Sequence, residues 1–164
     1  MVTENTQTLN DKAWIRWSAL FIVAFTMMAA YYVNDVMAPL KSMLEGQLSW
    51  TSGEFGMFTG AYSFLNVFLL MLIWGGLILD KFGIRFTGIL ATVLMVGGTA
   101  VEYIAITQYG GTSEMLWGYK LDVLMASAGY SVFGVGAEVA GITVTKIIAK
   151  WFKGKEIALA MGVQ

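Results

Sequence analysis

Four long apolar stretches alternate with short polar ones along the chain. They predict helices over about 14–37, 55–79, 86–107 and 121–149, and a further apolar stretch runs from 157 to 164. Some 20 consecutive apolar residues suffice to cross a hydrocarbon core of about 30 Å. The expected fold class is therefore an all-α membrane protein, with four transmembrane helices and the start of a fifth. It occupies 14–164 as one helical unit, after a polar tail over 1–13. That tail and the long apolar run behind it do not have the proportions of a cleavable signal peptide.

The polar breaks carry a second pattern. Lys12 and Arg16 precede the first helix, Lys81 and Arg85 join the second and third, and Lys146, Lys150, Lys153 and Lys155 gather at the exit of the fourth. The alternate breaks hold only Lys41 and Lys120, so eight of the ten cations share one side. By the positive-inside rule that side is cytoplasmic, and so is the N-terminus. Trp14, Trp17, Trp50, Trp117 and Trp151 fall near helix ends, where amphipathic rings favour the interface with headgroups.

Composition supports this picture and removes others. Of 164 residues, 57% are hydrophobic and only 13% charged, with a mean hydropathy of +0.68. A soluble domain carries about 25% charge because its surface faces water. A net charge of −1 leaves no basic stripe for nucleic acid. Cysteine and histidine are both absent. No thiol nucleophile, imidazole base or usual metal-ligand cluster exists, so we expect no enzyme, no cofactor and no metal site.

The candidate chemistry is carried by polar residues inside the apolar stretches. Glu138 lies 11 positions before Ala149, roughly 16 Å along a helix, which puts it near mid-membrane. Ser131, Gly134, Gly141 and Thr145 share its helical face. Either a partner on an adjacent helix satisfies this acid, or it lines a solute cavity, which is the default for intramembrane carboxylates. The second helix has a stripe of Thr59, Tyr62, Ser63 and Asn66 beside Gly56 and Gly60. The stripe suits hydrogen bonding between helices and solute contact equally well. The first helix ends in Tyr31, Tyr32, Asn34 and Asp35, which suit either a solute site or an aromatic belt with a solvated acid. Glu102 is expected to snorkel to water from the end of the third helix.

The break between the second and third helices contains Gly76, Asp80, Lys81, Gly83 and Arg85. This segment resembles the cytoplasmic signature of the major facilitator superfamily: a glycine, three residues, then Asp-Arg/Lys-x-Gly-x-Arg/Lys. The resemblance implies that Asp80 and Arg85 latch the cytoplasmic side during alternating access. Phe133-Gly134-Val135-Gly136-Ala137-Glu138 and the later Lys150-Trp151-Phe152-Lys153-Gly154-Lys155-Glu156 are similar to the branch that holds the lysosomal dipeptide transporter. Tyr62-Ser63-x-x-Asn66-Val67 and Phe82-Gly83-Ile84-Arg85 fit the same branch.

That resemblance implies part of the N-terminal six-helix bundle of a transporter whose C-terminal half lies beyond Gln164. It implies a role for Glu138 in meeting a peptide's amino group. Ala137 and Val139 stand where the branch has a glycine and a serine, and Val36-Met37 where it has Asn-Pro. The expected function is secondary or facilitative transport of a small polar solute, with dipeptides as the suggested class and proton coupling as an open variant. The expected substrate contacts are Glu138, Tyr62, Asn66, Tyr31, Tyr32 and Asp35. Membrane lipid and the solute are the expected partners. The tail lacks the di-leucine sorting signal of the lysosomal members, so the expected location is a prokaryotic plasma membrane. The competing expectation is a membrane scaffold or sensor that works through helix–helix contacts.

Overall fold

A computed structural model describes residues 12–164, so the expected N-terminal tail lies almost wholly outside the described residues. The elements are α1 (Ala13–Asp35), α2 (Lys41–Leu48), α3 (Ser52–Phe68), α4 (Met71–Gln108), β1 (Met115–Leu116), β2 (Tyr119–Lys120), α5 (Leu121–Trp151) and α6 (Ile157–Val163). Among the described residues, three helices are long and apolar enough to cross a membrane: α1, α4 and α5, of 23, 38 and 31 residues.

α4 is not one rod. Gly83 sits inside it at φ 78° and ψ 173°, a conformation that only glycine adopts without strain. The chain reverses there, and both arms lie against α5. Gly75 of the first arm approaches Val139 and Ile142, while Gly88 of the second approaches Thr143.

α3 and the first arm of α4 run parallel to α5. Phe58 stacks on Tyr130 at 4.8 Å, Ser131 donates to the Ala61 carbonyl at 2.8 Å, and Asp80 pairs with Lys146 near the far end. The second arm runs antiparallel, with Ala91 beside Gly136 and Glu102 beside Gly129. α1 is antiparallel as well. Trp17 meets Phe152 at 5.4 Å, Met27 meets Gly141, and Asn34 meets Tyr130. Arg16, Lys81, Arg85, Lys146 and Lys150 consequently gather at the Gly83 end, while Lys41 and Lys120 lie at the Trp50 end.

α5 is the inner element, and two hydrophobic clusters form around it. Trp50, Phe55, Phe58, Tyr130 and Phe133 fill the Trp50 end. Leu20, Met27, Val139, Val144, Ile148 and Phe152 fill the Gly83 end. The second arm packs closely. A methyl group on Gly98 would stand 2.5 Å from the Phe133 amide nitrogen. Outer faces remain apolar: Phe21, Ile22, Phe64, Leu72, Ile89, Val93 and Val96 are all exposed. So much exposed hydrocarbon suits lipid rather than water.

The structure differs from the sequence expectation in three places. The helix predicted over 55–79 is divided at Leu69–Leu70, where Leu70 takes a left-handed φ of 49°. α3 alone has 17 residues, about 26 Å of helix. Between the long helices lie α2 and the β1–β2 hairpin, neither of them anticipated. Glu102 does not reach water. It is buried at the α4–α5 contact, because Gly98 and Gly129 bring the two backbones together there.

Candidate functional site

Glu138 stands on the face of α5 that small residues open to its neighbours. At Gly134 the α3 backbone lies flush against α5; an added methyl group would be 2.5 Å from the Tyr62 carbonyl oxygen and 3.1 Å from Asn66 Nδ2. This close approach brings Tyr62 and Asn66 to the acid. Two turns further, at Gly141, α1 approaches less tightly through Met27. Ser131, predicted on the same face, donates its hydroxyl to α3 and docks the helix. Thr145 donates to the Gly141 carbonyl of its own helix at 2.9 Å.

Glu138 borders three adjoining spaces. A small cavity of about 40 Å³ is lined by Tyr31, Tyr62, Met27, Ala30 and Glu138, enough room for water. A cleft of about 440 Å³ joins Glu138 to Ser63, Asn66 and Met71. A third of about 580 Å³ runs from Glu138 and Tyr31 toward the Gly83 end, past Gly76, Thr145, Asp80 and Lys146. The acid is half-buried, and among the described residues no hydrogen bond or ion pair reaches it. A carboxylate removed from bulk water without a counter-ion is costly, so this position favours a cation or cationic group beside it.

Tyr31, Tyr62 and Asn66 are thus brought to Glu138. Asn66 Nδ2 donates to the Tyr62 carbonyl at 2.9 Å, while its Oδ1 is buried and unpartnered. Asp35 is placed elsewhere, in a cleft of about 560 Å³ toward the Trp50 end with Asn34, Thr59, Tyr62, Ser63 and Tyr130. Tyr62 borders both compartments. Tyr32 is not brought to Glu138; it is 70% exposed on a groove along α1.

The charged signature is arranged around the Gly83 reversal. Asp80 Oδ1 accepts from Lys146 Nζ at 2.6 Å, so its partner is an α5 lysine rather than Arg85, which is exposed. Lys81 lies 5.3 Å above the Phe82 ring. Gly76 has open space where a side chain would project, and it lines the cleft leading to Glu138.

Sequence reasoning missed two polar centres at the Trp50 end. Asp122 is fully buried, and its carboxylate accepts from Trp50 Nε1 at 2.9 Å, the Gly111 amide at 3.1 Å and the Val123 amide at 2.8 Å. Its partners lie up to 72 positions away, which no local pattern reveals. Glu54 closes a capping box with Thr51 at the start of α3. The Thr51-x-x-Glu54 spacing did contain that signal. The Thr51 amide, with help from Lys120, holds the Glu54 carboxyl below its ordinary range.

Comparison with known proteins gives a consistent result. The chain is 27% identical over 150 residues to the lysosomal dipeptide transporter MFSD1 of Homo sapiens, covering 91% of this chain and 29% of the relative. It is 28% identical over 146 residues to MFSD1 of Danio rerio, covering 88% and 29%. With MFSD1 of Bos taurus it shares 28% identity over 150 residues, covering 91% and 29%. The chain thus spans under a third of these relatives' length. No family model matches it, and no solved structure does. These relatives are named for the lysosome, and none of them supports the prokaryotic plasma membrane expected from the tail. Its signature at 76–85, its Glu138 element and these similarities agree: the chain is similar to major facilitator superfamily transporters of the lysosomal dipeptide transporter branch.

Proposed function

We propose that this chain supplies part of the N-terminal helical bundle of a secondary transporter for small polar solutes, with dipeptides as the substrate class. In this reading the membrane is crossed four times, by α1, by α3 with the first arm of α4, by the second arm, and by α5. α6 opens a fifth crossing, and the Gly83 end is cytoplasmic. The alternating directions of the helices against α5 and the gathering of cations at the Gly83 end support this arrangement. Relatives named for dipeptide transport, matched over most of this chain, support the substrate class.

Glu138 is the observation that carries the proposal. It is an acid on a membrane-length helix, half-buried beside Tyr31, Tyr62 and Asn66, with no cation paired to it among the described residues. A dipeptide's free ammonium group supplies the missing charge. Asp80 and Lys146 close the cleft below, and rocking of one bundle against another would break and remake such a contact.

The test is dipeptide uptake into vesicles reconstituted with the full-length protein. Glu138→Gln keeps the shape and removes the charge. The expected result is loss of uptake by a factor of 100 or more, with insertion and yield as in the parent. Uptake within twofold of the parent refutes the assignment.

A further inference from the structure

At the Trp50 end, Tyr130 of α5 makes a polar contact with the end of α1, beside the apolar packing of Val33 and Met37. The Tyr130 hydroxyl lies 2.8 Å from Asn34 Oδ1 and 3.2 Å from the Asn34 carbonyl oxygen. It donates its proton to α1 one residue before Asp35. The ring is 2% exposed and held by neighbours, with Phe58 at 4.8 Å and Phe133 at 6.0 Å. Tyr62 packs against it at 5.5 Å. The hydroxyl is thus a fixed point on the inner helix, and the end of α1 is tied to it.

What this tie controls follows from where it lies. Tyr130, Asn34, Asp35, Thr59 and Tyr62 all border the same cleft of about 560 Å³. Tyr62 is also the wall of the Glu138 cavity. Moving the end of α1 away from Tyr130 widens that cleft and carries Asp35 away from Tyr62. Nearer the Gly83 end α1 is anchored independently, by Leu20, Met27 and the Arg16–Glu156 pair. At the Trp50 end Val33 and Met37 still pack against the aromatic cluster, so loss of the tie loosens that end of the helix rather than releasing the whole.

We propose that Tyr130 is a positioning residue: its hydrogen bond to Asn34 holds the end of α1 over the candidate site and sets the width of the cleft between Asp35 and Tyr62. The effect on solute affinity rests on the transporter reading given above; the tie itself does not. One neutral hydrogen bond changes a two-state equilibrium by about fivefold. That is the size of effect expected for opening of the cleft.

The experiment uses full-length protein with native cysteines removed and Thr59→Cys introduced inside the cleft. The rate of modification by a membrane-impermeant maleimide reports opening. Tyr130→Phe keeps the ring and removes only the hydroxyl, and should raise the rate about fivefold. Asn34→Leu removes the nearer acceptor but keeps the backbone carbonyl, so it should raise the rate in the same direction by a smaller factor, which covers the case in which Tyr130→Phe fails to fold. In dipeptide uptake, Tyr130→Phe should raise KM several-fold with the maximal rate within twofold. A Tyr130→Phe labelling rate equal to the parent's overturns the proposal. Faster labelling with an unchanged KM overturns the positioning role. Faster labelling in a parent protein that carries no solute leaves the tie standing and overturns the transporter reading.

Discussion

The polar residues of this chain differ chiefly in how completely they are satisfied. Asp122 has three N–H donors around a fully buried carboxylate. Asp122→Ala would strand the indole and two amides, at a cost of about 3 kcal/mol. A corresponding drop in the melting temperature of detergent-solubilised protein is the check; Glu138→Gln should leave that temperature nearly unchanged. Glu54 gives a pH test. Its carboxyl titrates below the ordinary 4.5 in the folded chain, so its contribution is complete above that value. It is lost as pH falls through the lowered one. Stability measured from pH 7 down to pH 3 should therefore decline less steeply in Glu54→Gln than in the parent. Glu138 and Asp122 show what a sequence can reveal. The first was legible because an acid amid glycines in an apolar stretch stands out. The second was not, because two of its three donors, Trp50 and Gly111, come from separate loops.

Among the elements, α1 and α5 match their predicted spans to within two residues. Their apolar stretches end in clear polar signals. The break at Leu69–Leu70 was not legible, since Phe68-Leu69-Leu70-Met71 contains neither glycine nor proline and reads as uninterrupted helix. The hairpin hid behind its brevity, with two residues in each strand. Glu102 was misread because the depth of its burial depends on Gly98 and Gly129, glycines on different elements. Two substitutions test the element contacts. Gly98→Ala drives a methyl group into the α5 backbone, with Phe133 N at 2.5 Å and Gly129 O at 2.6 Å. Backbone atoms cannot swing away, so about 3 kcal/mol of destabilisation is expected. Gly83→Ala meets open space but a forbidden φ, and should cost about 2 kcal/mol. Thermal unfolding of both variants distinguishes a packing requirement from a conformational one.

For the molecule as a whole, the arrangement explains why a chain with so few charges places them as it does. In the proposed reading, cations at the Gly83 end fix orientation, exposed hydrocarbon on the outer faces meets lipid, and one inner helix carries the acid that solute would reach. The central claim is that Glu138 receives the positive end of a solute. Dipeptide uptake by the reconstituted full-length protein, measured with a free and with an acetylated amino terminus, tests it most directly. The account predicts transport of the free dipeptide and none of the acetylated one, with Glu138→Gln unable to carry either. Equal transport of both dipeptides by the parent protein would contradict it.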